Sequence, residues 1–465
     1  MASLDATVVN VAIPHIGADL DADVSALQWV LTGYLIALAS LILLGGALSD
    51  RYGRRRVFVV GTIWFAAASV LCGLAPSIEV LIGARVLQGI GGALLTPGSV
   101  AILQASFRQA DRAAAVGAWS GLGGVAGAIG PFVGGVLVDG PGWRWAFLLN
   151  VPVAVVVVVA ARAAVPESRS HHAGALDLHG AGLAVVGLAT GTWALTEAGP
   201  RGWTNATVLL AAGFGVALVG LLVRHVRTAE NPLVPPSLFH DRTFVVVNLA
   251  TVLLYGAIGV TFFLVAFQLQ VGAGWSALGA GLALLPVTLL MLTLSARSGA
   301  LAERIGPRIQ LTVGPLLTAG GLLLLTRIGT DPSWWSDVFP GATLFGMGLA
   351  TFVAPLTATV MASADPDHVS TASGVNNAIA RSASLAALAV VPVVSGLTMA
   401  STSAGVTRAA HLGLITAATL AACAAPLAYV GLRQRLHTVT GPRRVHCAVD
   451  GPPIQADPQR CPTAA

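Results

Sequence analysis

Lysine does not occur once in the 465 residues, cysteine occurs four times, and only 10% of positions carry a charge. A soluble domain has about a quarter of its residues charged, so this shortage excludes an ordinary water-soluble enzyme or binding module. The net charge of +5 rests entirely on arginine. No arginine run is interleaved with aromatics on a polar segment, which leaves no basic face for nucleic-acid phosphates. Cys72 and Cys423 sit in apolar runs and Cys447 and Cys461 in the tail, without CxxC spacing, so neither a disulfide framework nor a zinc site is indicated. A GxxxxGK loop for a nucleotide is missing, as is HExxH or a comparable nucleophile and base pair; the chain is expected to be no enzyme and to need no bound cofactor. Met1 to Leu20 has no positive leader and carries Asp5 inside its apolar stretch, unlike a cleavable signal.

What is abundant is apolar sequence, 55% of the chain, arranged in runs of the ~20 residues that cross a ~30 Å hydrocarbon core as a helix. Fourteen such runs are read, near 1–18, 28–48, 57–75, 79–105, 112–137, 144–165, 177–197, 206–226, 243–268, 275–297, 309–328, 337–362, 370–398 and 411–431. With fourteen spans, nineteen arginines, beginning with Arg51, Arg54, Arg55 and Arg56, fall on one side, and four, Arg144, Arg201, Arg327 and Arg408, on the other. The positive-inside rule then places both termini in the cytoplasm. Trp143, Trp145, Trp203, Trp275, Trp334 and Trp335 fall at the opposite ends, where amphipathic rings suit the headgroup level. The first run, Leu4 to Ile16, is short for a crossing and begins almost at Met1; an upstream segment absent from this chain is expected.

The end of the second run, Gly45-Gly46-Ala47-Leu48-Ser49-Asp50-Arg51-Tyr52-Gly53-Arg54-Arg55-Arg56, recurs at the end of the tenth as Ser298-Gly299-Ala300-Leu301-Ala302-Glu303-Arg304-Ile305-Gly306-Pro307-Arg308, at one offset of 253 residues. The fold expected is therefore an all-α membrane protein of two pseudo-symmetric six-helix bundles, 1–165 and 241–435, with an inserted helix pair in 166–240 and a disordered cytoplasmic tail at 436–465. Repeated halves about a central site are a common design for alternating access.

With these motifs in view, the chain resembles the major facilitator superfamily, and within it the fourteen-span drug:proton antiporters that include actinomycete antibiotic exporters. Gly46 to Arg56 is similar to the superfamily's loop motif, and Leu4-Asp5-Ala6-Thr7-Val8-Val9-Asn10-Val11-Ala12-Ile13-Pro14 to the first-helix motif. Leu81 to Arg85 with Gln88, Gly89 and Gly92 resembles the basic fourth-helix motif, and Gly127, Gly130-Pro131 and Gly134-Gly135 the antiporter motif of helix 5. The resemblance implies a monomeric transporter of the cytoplasmic (inner) membrane that exports hydrophobic or cationic small molecules against a proton gradient. The alternative is a nutrient or metabolite symporter of the same fold; the helix-5 motif, which the family associates with export, weighs against it.

Physical chemistry assigns roles to these positions. An ionised Asp5 in mid-membrane costs about 2.5 kcal/mol or more, so it must be protonated, paired or wet. Arg85 and Arg381 lie inside apolar runs and cannot shed their charge; each needs an acid, a carbonyl or a wet cavity, with a fixed packing bridge as the alternative. Asp5 is the natural partner of Arg85: the cation favours its charged form and burial the neutral one, so its protonation would follow access. Helix 5 holds eight glycines between Gly117 and Gly135, and small residues on one face let backbones approach closely, while Pro131 favours a bend. Asp50 would latch against the positive first turn of helix 13 around Ser370, Thr371 and Ser373, with Glu303 as its counterpart near Asp111 to Gly117. Gly46, Arg51, Gly53, Arg54 and Arg304 complete that gating set; Arg55 and Arg56 are read as anchors alone. Candidates to line a substrate cavity are Asn10, Gln28, Trp29, Tyr34, Gln88, Thr96, Asn248, Tyr255, Gln268, Asn376 and Arg381, although amides in spans also serve as interhelical glue. Glu197 is read as a solvated rim residue.

Overall fold

In hydrocarbon a backbone must satisfy its own polar groups, and among the described residues every regular element is helical. The computed structural model describes residues 1–106, 112–169, 177–229, 232, 234–364, 369–396 and 402–432. The tail at 436–465 lies outside them, as do Asp111 and the side chains of Gly117, Gly127, Glu303 and Ser370.

The helices are α1 (Ala2–Asp19), α2 (Val24–Tyr52), α3 (Arg54–Gly73), α4 (Ile78–Ser106), α5 (Arg112–Asp139), α6 (Arg144–Leu148 and Asn150–Ala164), α7 (Leu178–Arg201), α8 (Ala206–Thr228), α9 (Arg242–Phe267), α10 (Ala277–Ala283 and Leu285–Ile305), α11 (Pro307–Leu325), α12 (Phe339–Ala362), α13 (Val369–Ser395) and α14 (Ser403–Gly431). Among the described residues, eleven of these helices are long and apolar enough to cross a membrane. Helix α1 spans 18 residues, a rise of ~27 Å at 1.5 Å per residue, more than the run from Leu4 to Ile16 suggests. Caps move other boundaries: the Asp23 carboxylate accepts the Ala26 N–H and starts α2 at Val24 instead of 28, and the Thr402 hydroxyl accepts the Gly405 N–H and starts α14 at Ser403 instead of 411. Arg408 consequently lies within a helix.

Packing follows the glycines. A Cβ on Gly45 would stand 2.1 Å from the Ala93 carbonyl oxygen, so α2 and α4 touch backbone to backbone, and Gly321 brings α11 as close to Phe345 of α12. The repeat recurs in conformation: Gly53 and Gly306 both hold positive φ (111° and 81°) and each turns the chain directly into the next helix, a backbone that glycine adopts without steric cost. Helix α5 lies between α1 and α10. One face sets Gly130 and Gly134 on Thr7 and Val8, and another sets Gly135 on Ala277 and Leu278, with Gly281 of α10 against the Pro131 carbonyl. The Asp139 carboxylate at the end of α5 accepts the backbone N–H groups of Ala277 and Leu278 at 3.0 and 2.6 Å, capping α10 where a helix N-terminus favours negative charge. Helix α7 packs on α2 and α13, and α8 packs on α7, leaving Leu210, Phe214 and Val216 exposed as the lipid-facing side of a span.

Three expectations are corrected. Arg55 and Arg56 are not anchors alone: both face the Glu167 carboxylate, which also accepts the Arg55 backbone N–H at 3.1 Å and so ties the α2–α3 turn to the segment after α6. Trp143 is not an exposed anchor; it is buried and donates its indole N–H to Asp19, which also binds Arg144, whereas Trp145, Trp203 and Trp335 are exposed. Glu197 is mostly buried, pairing with Arg201 at 2.7 Å and accepting from Ser25.

The α5–α10 seam has no room for a side chain, and overpacking costs about 1–3 kcal/mol. Gly281→Val should lower the thermal unfolding midpoint of the detergent-solubilised protein clearly. Gly182→Ala, at a position where a Cβ meets nothing within 4 Å, should leave it unchanged or raise it slightly.

Candidate functional site

Helix α1 is apolar nearly all round, which destines a helix for the interior; Val8, Val9, Ala12, Ile13 and Ile16 are all buried. That placement carries Asp5 inside, 1% exposed, and Arg85 of α4 meets it at 1% exposure. Arg85 Nη1 donates to Asp5 Oδ2 at 2.6 Å and to Gln88 Oε1 at 2.5 Å, and Nε donates to the Val30 carbonyl at 3.0 Å. The other carboxylate oxygen, Asp5 Oδ1, accepts Gln88 Nε2 and Asn150 Nδ2, each at 2.8 Å. Gln88 is one turn from Arg85 on α4, the spacing at which helix side chains become neighbours, and its amide also donates to Ser69 of α3 at 2.7 Å. The guanidinium stacks over Tyr34, 4.3 Å from the ring centroid, a favourable cation–π placement. Helices α4 and α6 thus meet the α1 carboxylate directly, with α2 and α3 bracing Arg85 and Gln88 behind it, and every side-chain hydrogen bond to Asp5 comes from a donor.

Arg85 and Tyr34 also border a central cavity of about 580 Å³, a volume suited to a drug-sized molecule. Of the residues expected to line it, Asn10, Tyr34, Thr96, Tyr255, Asn376 and Arg381 do. Gln88 belongs to the Asp5 cluster instead. Gln28 is buried and off the cavity wall. Gln268 is glue: its amide donates to the carbonyl of Gly329 and to Thr407, joining α9 to α14 and to the chain after α11. Asn248 likewise accepts from Asn376, which also donates to Thr251, locking α13 to α9. Arg381 finds no acid: among the described residues it makes no ion pair or hydrogen bond, and its guanidinium stands at the cavity.

The gating residues are placed less tightly. Asp50 is held by Arg54, which donates Nε at 3.0 Å and Nη2 at 2.9 Å; α2 packs on α13, but among the described residues no hydrogen bond joins Asp50 to Thr371 or Ser373. Arg304 is exposed, and its neighbour Glu303 falls outside the described side chains. Sequence reasoning missed Asn150, Ser69, Glu167 and Asp139. Asn150 had a readable signal, the single amide in the apolar stretch from Ala146 to Ala164, where a polar group needs a partner.

The Major Facilitator Superfamily pattern matches residues 1–389. The chain belongs to that family. It is 36% identical over 391 residues to the probable actinorhodin transporter of Streptomyces coelicolor, covering 81% of this chain and 67% of the relative. It is 35% identical to the tetracenomycin C resistance and export protein of Streptomyces glaucescens, covering 80% of this chain and 70% of the relative. In fold it is similar to a bacterial homolog of the human lysosomal transporter Spinster solved in an inward-facing, unoccupied conformation, with a TM-score of 0.62, 16% identity, and 92% and 93% of the two chains covered. This superfamily member is accordingly a multi-pass membrane transporter and not an enzyme.

Removing one partner of a buried ion pair costs about 3–5 kcal/mol because the other charge is stranded. Arg85→Ala should therefore lower thermal stability strongly and Asp5→Asn less, since an asparagine still offers an oxygen to Arg85. The double variant Asp5→Asn with Arg85→Ala should be more stable than Arg85→Ala alone; a fully additive loss across the double-mutant cycle would show that the two charges are not coupled.

Proposed function

We propose that this transporter is a proton-coupled antiporter that exports hydrophobic small molecules by alternating access of two six-helix halves, 1–165 and 241–435, with α7 and α8 as an inserted pair. It works as a monomer in the cytoplasmic membrane with both termini inside, and the proton gradient replaces any cofactor. The observation that carries this reading is a fully buried acid whose cation forms part of the cavity wall.

Coupling follows from the geometry of the pair. A proton arriving at Asp5 Oδ2 occupies the lone pair that Arg85 Nη1 uses, and the Asp5–Arg85 bond must lengthen or break. Arg85 keeps the Gln88 and Val30 oxygens and the Tyr34 face, so it can survive the loss without leaving the site, but its charge is no longer neutralised. The potential at the cavity then becomes more positive, and a bound molecule feels the change. Loss of the proton restores the pair. A ligand can shift such an equilibrium only by its differential affinity for the two states, and the pair at the wall supplies that difference. Export is supported by relatives named as an antibiotic transporter and a resistance and export protein. The glycine seam of α5 against α1 and α10, with Asp139 capping α10, is the contact the halves would open and close. The cationic substrates expected from the family resemblance gain no support from the cavity, whose described charged side chains are both arginines.

The test uses Nile red, a neutral dye, in proteoliposomes carrying an imposed pH gradient. Asp5→Asn should lower gradient-driven dye transport at least tenfold while leaving dye–dye exchange within about twofold of wild type; unchanged gradient-driven transport would remove Asp5 from the coupling. In the same assay Asp50→Asn, which removes one charge from the Asp50–Arg54 pair, should slow both modes about equally, and wild-type rates there would end its gating role.

A further inference from the structure

Arg381, inside α13, meets no acid among the described residues. Both central arginines border the cavity, but Arg85 is paired with Asp5 at 2.6 Å, and no aspartate or glutamate is found on the cavity wall among the described residues. An arginine cannot neutralise itself by losing its proton, so Arg381 needs water or an anion. The amides around it are turned to other partners, Asn376 donating to Asn248 and Thr251, Asn377 to the Ser373 carbonyl and Asn10 to the Ala6 carbonyl, and an amide oxygen carries no charge to offset a guanidinium. A second group stands unused beside it. The Tyr34 hydroxyl is buried, borders the cavity and has no hydrogen-bond partner, in a protein interior where such groups are nearly always paired. Two groups without a partner among the described residues thus border the cavity, a guanidinium, which can only donate, and a phenol, which can. The rest of the wall supplies flat apolar surface from Phe58, Trp119, Tyr255 and Phe262.

Resting on the exporter reading above, we infer that the cavity takes a planar aromatic molecule bearing a single acidic group, a carboxylate or an ionised phenol, with that anion set on Arg381 and Tyr34 and its rings among the aromatic side chains. An organic cation would meet two arginines and no acid there. A neutral molecule would gain the aromatic contacts but leave Arg381 unpaired. A charge-assisted bond to arginine is stronger than a neutral one, so the acid should bind more tightly than its neutral isostere. The inference also joins the substrate to the coupling pair, because Tyr34 lies between the two arginines: its ring carries Arg85 and its hydroxyl faces the anion.

The experiment measures binding of three isosteres, anthracene-9-carboxylate, its methyl ester and anthracen-9-ylmethylammonium, to the full chain purified in detergent, by tryptophan quenching. The carboxylate should bind at least tenfold more tightly than the ester and the ammonium. Arg381→Gln should bring the carboxylate to the level of the ester while ester binding stays within twofold, which also reports that the variant is folded. Arg381→Lys should keep most of the preference, and Tyr34→Phe should lower carboxylate affinity about threefold. Equal binding of the three compounds, a preference for the ammonium, no carboxylate binding, or a carboxylate preference that survives Arg381→Gln would each overturn the inference. Transport in proteoliposomes separates it from the exporter reading. Gradient-driven movement of the ester without any carboxylate preference would leave export standing and remove the anion site. A carboxylate preference in binding without gradient-driven transport would do the reverse.

Discussion

The Asp5–Arg85 pair is the constraint around which the N-terminal helices are arranged. Two opposite charges at 1% exposure are tolerated in a low-dielectric interior only when their remaining hydrogen-bonding groups are also met. Here α2 supplies the Val30 carbonyl and the Tyr34 ring, α3 supplies Ser69, α4 supplies Gln88 and α6 supplies Asn150. Each of these needs its helix at a fixed height and rotation. The close approach of α2 to α4 at Gly45 and Gly89 is what brings Val30 and Tyr34 within reach of the guanidinium. Buried ion pairs are poor sources of net stability compared with well-packed apolar side chains. Stability therefore does not explain why a charged pair occupies this place, whereas the coupling role proposed for it would.

The same helix that carries Asp5 rests on the glycine face of α5, and α5 rests in turn on α10 of the other half of the chain. Gly130 and Gly134 against Thr7 and Val8, and Gly135 and Pro131 against Leu278 and Gly281, are contacts of backbone rather than of long side chains. Such a seam is rigid while closed, because nothing in it can adjust, yet it holds few side chains that must be disentangled to separate. Asp139 fastens the end of the seam through two N–H groups of α10 and is itself exposed, so the fastening is in reach of water. Packed interfaces switch between discrete arrangements rather than deforming continuously, and a movement of α5 relative to α10 would be felt at Asp5 through α1.

How much of this was legible in the sequence depends on how many ways a residue could be satisfied. A charge within an apolar run has few options, which is why Asp5 and Arg85 were read as partners across 80 residues of chain and are found bonded. The repeated loop was legible because glycine with positive φ is required at both Gly53 and Gly306. Amides were not legible in this way. Gln28, Gln88, Gln268 and Asn376 looked alike as candidates for a cavity wall, yet only Asn376 borders it, because an amide both donates and accepts and is satisfied equally well by a backbone carbonyl or a neighbouring helix. Arg55 and Arg56 were misread for a related reason. Their partner Glu167 lies 112 residues beyond Arg55, after α6, in a segment with no periodicity to say where it returns. The burial of Trp143 turns on Asp19, which hydropathy alone would have left in water.

The two central arginines illustrate how identical side chains come to serve opposite ends. Arg85 has an acid, two carbonyl-type oxygens and an aromatic face, so its environment is complete when the cavity is empty, and what disturbs it is a proton. Arg381 has none of these, so its environment is completed only by what enters the cavity. Protonation of Asp5 would release a second unneutralised cation on the same wall, and an anion held at Arg381 would then sit in a more positive potential than before. Charge on the substrate and charge at the pair are thereby linked without any contact between substrate and acid. A neutral substrate at the same place would feel the proton through its dipoles and through the altered contacts of Arg85, a weaker lever than a full charge. An empty guanidinium on the wall is thus the feature that makes proton movement at a distance of several side chains worth sensing.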